Sequence, residues 1–210
     1  MSKHIGKLSF ATQAVHAGER PPRPDFTPTI TPIYNSVTYG YDQMEALDAV
    51  IYNERPGYVY SRYGTPTHTA LETALATLEG AEKAISCASG MAAINLSLLA
   101  AGASVAGAVL CAYDIYGNTY ALVKGVFPTL GIKTGFVDIT DLSALEIALD
   151  EMRPAVVICE TISNPLLRVA DIPAIAGMVH AAGAKLVVDN TFTTPYIFKP
   201  LEHGADYVVH

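Results

Sequence analysis

Lys185-Leu186-Val187-Val188-Asp189-Asn190-Thr191-Phe192-Thr193-Thr194-Pro195 runs from three apolar residues, two of them β-branched, straight into an acid and an amide. An apolar run that follows a helix-like segment reads as a buried parallel strand. Asp189 and Asn190 then stand at its carboxyl end, the edge at which open α/β sheets bind ligands. Burying an aspartate there is costly unless something positive meets it. An Asx turn that merely ends the strand is the other reading of this stretch taken alone.

The same punctuation recurs on both sides of it. Upstream, Ala155 to Cys159 is a strand-like run ending at Glu160-Thr161-Ile162-Ser163-Asn164-Pro165. Asp171 then caps a helix to about Ala182, with Gly183 as its stop. Earlier still, Ala108 to Ala112 is a strand ending at Tyr113-Asp114-Ile115-Tyr116-Gly117-Asn118, before a helix through about Gly125. Ile132 to Val137 is a strand and Asp141 to Met152 a helix. Tyr207 to Val209 begins one more strand.

Near the start of this series, Thr65-Pro66 opens a helix, a hydroxyl cap followed by proline at the first helical position. It runs to Glu79, stops at Gly80, and places Leu71, Leu75 and Leu78 on one face. Ala84 to Cys87 reads as a short strand, and Ser89-Gly90-Met91-Ala92-Ala93-Ile94 opens a helix to about Ala101. Strands and helices thus alternate from residue 66 onward. The expected fold class is α/β, with a mostly parallel sheet and helices on both faces.

Composition fits this picture. Half of the 210 residues are hydrophobic and only 16% are charged, against roughly 25% in an average globular protein, so much surface is expected to be buried in a core or an interface. A formal net charge of -7 and the lack of any basic stripe argue against a nucleic-acid partner. The three cysteines, Cys87, Cys111 and Cys159, lie in or beside apolar runs, as expected of reduced, buried thiols in a cytoplasmic protein. No Cys or His spacing resembles a metal site. Residues 84–113 carry no charge, but serines, glycines and an asparagine interrupt them, so two strands around a helix are expected rather than a membrane span.

Residues 1–60 read as an extended N-terminal arm. Pro21, Pro22, Pro24, Pro28 and Pro32 exclude long helices up to about Tyr34, and Asp42 to Val50 reads as one short helix. Such an arm is expected to pack on a partner subunit, because ordering it on its own body is entropically costly. Five tyrosines between Tyr34 and Tyr58 argue against a disordered tail. In an extended segment Tyr60 and Arg62 point to the same side, where a phenol and a guanidinium suit a phosphate. The remainder, residues 61–210, forms one α/β unit.

Polar and aromatic groups collect at successive strand ends: Ser89, Tyr116, Glu160, Asn164 and Asp189. Several on one sheet edge suggest a site. The small-residue turn at Ser89-Gly90-Met91 leaves backbone N–H groups free at the positive end of a helix dipole, a place for an anion. It is neither the dinucleotide fingerprint nor a P-loop.

Together these stretches, with Tyr60-Ser61-Arg62-Tyr63-Gly64-Thr65-Pro66-Thr67, Val188-Asp189-Asn190-Thr191 and His203-Gly204-Ala205-Asp206-Tyr207-Val208-Val209-His210, resemble the Cys/Met-metabolism family of pyridoxal-phosphate enzymes. The family has the aspartate-aminotransferase-like, type I fold and includes cystathionine γ-synthase, cystathionine γ-lyase, methionine γ-lyase and O-acetylhomoserine sulfhydrylase. The resemblance covers essentially the whole chain, with its motifs in family order. It implies pyridoxal 5'-phosphate as cofactor and Asp189 as partner of the protonated ring nitrogen, with Thr191 beside it. It implies Tyr116 stacked on the ring and active in proton transfer. Ser89, Gly90 and Met91 would hold the phosphate, joined by Tyr60 and Arg62 of a neighbouring subunit in a homodimer or homotetramer with shared sites. Asn164 would lie near the ring hydroxyl, supported by Glu160.

The family's Schiff-base lysine lies in a Ser-x-x-Lys motif directly after the counterpart of His210, and its substrate-carboxylate arginine lies in a C-terminal domain. The chain is therefore expected to be the first half of a protein of about 400 residues. Asn118 stands where methionine γ-lyases of the family usually carry cysteine. The implied activity is γ-elimination or γ-replacement on a sulfur amino acid or an activated homoserine. O-acetylhomoserine sulfhydrylase and cystathionine β-lyase are alternatives within the family. A nucleotide-binding α/β oxidoreductase and a non-enzymatic binding subunit are the alternatives outside it.

Overall fold

Apolar runs without alternation become strands covered on both faces. In the computed structural model, which describes residue 9, residues 11–12 and residues 27–210, five such runs pair in parallel. They are β1 Val109–Ala112, β2 Thr134–Val137, β3 Val156–Glu160, β4 Lys185–Asp189 and β5 Tyr207–Val209. Their order across the sheet is β2-β1-β3-β4-β5. Every residue of β1 and β3 is buried, as is β4 beyond Lys185. The register sets Glu160 directly beside Asp189, and Asp189 beside Val209.

The chain divides into two compact units, Met1–Ser61 and Arg62–His210. The first contains the short helix α1, Met44–Ile51. Its tyrosine-rich part closes on itself: Thr38 bridges Tyr60, and the Tyr41 hydroxyl both donates to the Tyr58 carbonyl (3.0 Å) and accepts from the Tyr58 N–H (3.2 Å). Residues 37–61 are therefore a closed loop rather than a fully extended arm. Ser61–Tyr63 is a single turn of 3-10 helix, so the extended geometry expected to aim Tyr60 and Arg62 to one side is not adopted there.

In the second unit, α2 is Pro66–Glu79, α3 Gly90–Ala100 and α4 Gly117–Ala121. The chain continues from α4 through a π-helical stretch, Leu122–Val126, to Phe127–Thr129. Then come α5 Leu142–Met152, α6 Ile172–Ala181 and α7 Thr194–Ile197. The start signals act as expected. Thr65 accepts the His68 N–H at 3.2 Å, Ser89 that of Ala92 at 3.1 Å, and Asp171 that of Ala174 at 3.1 Å. Gly80, at φ 71°, supplies the left-handed stop after α2. Right-handed crossovers put α4 on one face of the sheet and α5 and α6 on the other, because β1 steps to β2 in the direction opposite to all later steps.

One further expectation fails. Ala84 to Cys87 is not a strand: no described strand pairs with it, and the Ser86 N–H goes to the Glu72 carboxylate at 2.8 Å instead of to a ladder. The leucine face of α2 forms as expected but is not covered. Leu71 and Leu78 are exposed, while the charged Glu79 is buried.

Candidate active site

The sheet order reverses between β1 and β3, and ligands of such sheets occupy the crevice at that point. A cleft of about 460 Å³ lies there. Eight residues singled out from the sequence line it together: Ser89, Gly90, Met91, Tyr116, Glu160, Asn164, Asp189 and Thr191. Four further residues, Ile94, Ile162, Phe192 and His210, complete the wall. Arg62 is exposed on the turn before α2 and is not part of the lining, whereas Tyr60 belongs to the first unit, where it bridges Thr38.

Asp189 is 8% exposed. Its Oδ1 accepts from the Thr191 N–H at 3.0 Å and from the Thr191 hydroxyl at 2.5 Å. This is the Asx turn that the sequence allows, and it leaves Oδ2 available to a cleft ligand. Glu160, its register neighbour, accepts the Asn164 N–H on Oε2 at 2.9 Å, which fixes the loop that carries Asn164. Burial pushes the Glu160 carboxyl up to about 7; the Asn164 N–H opposes that, and the charges of Asp189 and Asp114 add to it. Two acids side by side at a desolvated edge thus sit in one cleft.

The start of α3 supplies donors. In α3 the Ala92 N–H is taken by the Ser89 side chain and the Ala93 N–H by the Ser89 carbonyl. The amides of Gly90 and Met91 precede the first helical bond and have no partner within the helix. They stand at the positive end of the dipole, and both residues line the cleft. Tyr116 is 38% exposed, sits at the start of α4, and takes a hydrogen bond on its hydroxyl from Asn118 Nδ2 at 2.8 Å.

Two polar clusters around the site were not singled out from the sequence. Arg168 donates from Nη2 to both Asp138 carboxylate oxygens at 2.9 Å and to the Thr140 hydroxyl, and its Nη1 lies 3.7 Å from Asp114. This guanidinium holds the Asp138 carboxyl down at about 2. It joins the ends of β1 and β2 to the loop after β3. The placement of Asp114 and Asp138 just past two strand ends was the available signal. The second cluster is Glu79 with His210 and Asn190; its signal was an acid at the last position of a helix, where the dipole disfavours it. Cys111 and Cys159 are fully buried, and burial raises both thiols, Cys159 up to about 12. Cys87 is only partly buried. Among the described residues no metal-binding cluster occurs, and no helix is long and apolar enough to cross a membrane.

Helix-start amides and a buried acid lining one α/β crevice, with a tyrosine in its wall, are the donor and acceptor set of a cofactor-binding α/β protein. The chain belongs to the Cys/Met metabolism PLP-dependent enzyme family, whose model matches residues 11–210. It is 39% identical over 206 residues to the L-methionine gamma-lyase of Pseudomonas putida, covering 96% of this chain and 50% of that protein. Among solved structures, it matches a Campylobacter jejuni chain assigned as an O-acetylhomoserine (thiol)-lyase, which carries an N'-pyridoxyl-lysine-5'-monophosphate. The TM-score is 0.78 and the identity 33%, over 86% of this chain and 44% of that one. Cystathionine gamma synthase of Xanthomonas oryzae pv. oryzae, in complex with aminoacrylate and cysteine, matches with a TM-score of 0.75 and 34% identity, over 84% of this chain and 43% of that one. The chain spans about half the length of the curated relatives it matches. Membership of this family sets aside the nucleotide-binding oxidoreductase.

Proposed function

We propose that this chain forms the cofactor-holding part of a trans-sulfuration enzyme that acts on a sulfur amino acid or an activated homoserine by γ-elimination or γ-replacement. The observation that carries the reading is the cleft itself: helix-start amides and a buried carboxylate face one space. Those are the two groups that a phosphate and a pyridinium require, so the residues present fit pyridoxal phosphate. Bound there, that cofactor would draw electrons away from the substrate α-carbon.

The amides of Gly90 and Met91 would bind the phosphate, with Ser89 fixing the helix start. Asp189, held by Thr191, would keep a proton on the ring nitrogen. Tyr116 would lie against the ring and move a proton at its hydroxyl. Asn164 would meet the ring hydroxyl from the loop that Glu160 fixes. Within this class Asn118 speaks against a methionine γ-lyase, and it donates to the hydroxyl of Tyr116, which would be a reacting group. The relatives carry out different reactions at similar identity, so the reading stays at the class of reaction. Three unbridged cysteines support a reducing compartment such as the cytoplasm.

The test is to load the full-length protein with pyridoxal phosphate and offer L-cystathionine, L-methionine, and O-acetyl- and O-succinyl-homoserine with a thiol. A 2-oxo acid or a new thioether is expected from at least one. A loaded protein that turns over none of them would refute the assignment.

The same reading assigns Tyr60 and Arg62 to a neighbour's phosphate in a homodimer or homotetramer. Hybrids of an Arg62→Ala subunit with a subunit lacking its Schiff-base lysine should then regain one working site, because both defects fall in the same composite site. Inactive hybrids would argue that each subunit builds its own site.

A further inference from the structure

Glu79 is the last residue of α2 and 4% exposed. A carboxylate at a helix C-terminus meets the negative end of the dipole, so the helix does not explain it. Burial makes it costlier still. What meets Glu79 is the rim of the cleft. Its Oε1 contacts His210 Nε2 at 2.6 Å and accepts from Asn190 Nδ2 at 3.4 Å, while Oε2 is buried without a hydrogen-bond partner among the described residues.

Asn190 is fully buried and every polar atom of its amide is used. Its Oδ1 accepts from the Thr161 hydroxyl at 2.7 Å and from the Thr193 hydroxyl, and its Nδ2 also donates to the Phe198 carbonyl at 2.9 Å. Its backbone N–H goes to the Val209 carbonyl at 2.8 Å. Successive residues of an extended chain face opposite ways. Glu160 and Asp189 line the cleft, and the residues directly after them, Thr161 and Asn190, join one another in the polar network behind it. Glu79 closes that network onto His210, which itself lines the cleft.

We propose that Glu79 is a positioning residue for the cofactor site, clamping the ends of β4 and β5 through Asn190 and His210 so that the Asp189 carboxylate keeps its place against the ring nitrogen. The inference rests on the pyridoxal-phosphate reading of the cleft. Removing Glu79 leaves a buried amide N–H and an imidazole without their acceptor, at a distance of one residue from Asp189. The carboxylate then samples several placements instead of one.

The experiment uses full-length protein and pyridoxal phosphate as the probe, comparing the parent with Glu79→Gln, Glu79→Ala, His210→Ala and the double variant Glu79→Ala/His210→Ala. Cofactor dissociation constants and the visible circular dichroism of the bound cofactor are read at a temperature where each variant is folded. The Glu79→Ala variant should bind about ten-fold more weakly and lose most of the induced dichroism, and Glu79→Gln, which keeps one acceptor oxygen, should fall between it and the parent. The double variant should be little worse than either single one, as expected of coupled neighbours. A lowered melting temperature with parent-like affinity and dichroism would overturn the positioning role and leave Glu79 merely structural, as would additive effects in the double variant. If Glu79→Ala does not fold, the Glu79→Gln affinity and dichroism decide alone. A parent protein that binds no pyridoxal phosphate would overturn both this inference and the reading beneath it.

Discussion

Asp189→Asn separates the two readings of the strand end more sharply than any other change. Asparagine keeps the shape, and its Oδ1 still accepts from Thr191, so the Asx turn survives. What disappears is a negative charge that is 8% exposed and stands opposite the expected ring cation. Breaking a buried ion pair costs about 3 kcal/mol or more. Without that charge the ring nitrogen would lose its proton, and only the protonated ring would draw electrons strongly from the substrate α-carbon, so the loss falls on the transition state and lowers turnover by roughly 10²-fold. Asp189 also helps raise the neighbouring Glu160 carboxyl, so the substitution should bring that group back down from about 7. The assay is cofactor content, visible spectrum and turnover of full-length parent, Asp189→Asn and Asp189→Glu. A folded Asp189→Asn protein with some cofactor and turnover reduced by that factor is expected, with Asp189→Glu less impaired. Near-parent turnover with an unchanged spectrum would refute the reasoning and leave Asp189 as a turn former only.

Other changes probe the surroundings. Because the folded state raises the Glu160 carboxyl from 4.5 to about 7, the folded protein retains a proton that the unfolded chain releases, so stability should fall as pH rises through that window. Thermal melts of cofactor-free Glu160→Gln should show a flatter pH dependence than the parent, and parallel curves would count against the shift. Arg168→Ala removes the cation that lies 3.7 Å from Asp114, whose side chain is 6% exposed. Because Arg168 is itself 39% exposed, solvent screens the pair and the midpoint of chemical denaturation should fall only modestly, with Arg168→Lys restoring only part for want of a fork. Unchanged denaturation midpoints would show that the Arg168 cluster does not hold the strand ends together.

How much of this was legible beforehand follows from where the constraints lie. Buried parallel strands announce themselves as unbroken apolar runs, and Thr65, Ser89 and Asp171 are caps whose chemistry is local, so β1 to β5 and most helix starts could be read directly. Strand order could not, because pairing depends on contacts distant in sequence, yet the strand-end residues still identified the cleft. Ala84 to Cys87 has strand composition, but pairing needs a partner, and the Ser86 amide finds Glu72 instead. The apolar stripe of α2 was visible, whereas its exposure depends on what packs against it. Glu79 and Arg168 escaped notice because each is an ordinary charged residue until the fold brings it to strand ends far away in sequence.

Pyridoxal phosphate in the Asp189 cleft would be tied to a lysine that follows β5 in the full-length protein. Borohydride reduction of the loaded full-length protein, followed by peptide mass mapping, tests it directly. One pyridoxyl group is expected, on the lysine four residues after His210. A label on Lys185 or Lys199, or no label at all, would contradict it.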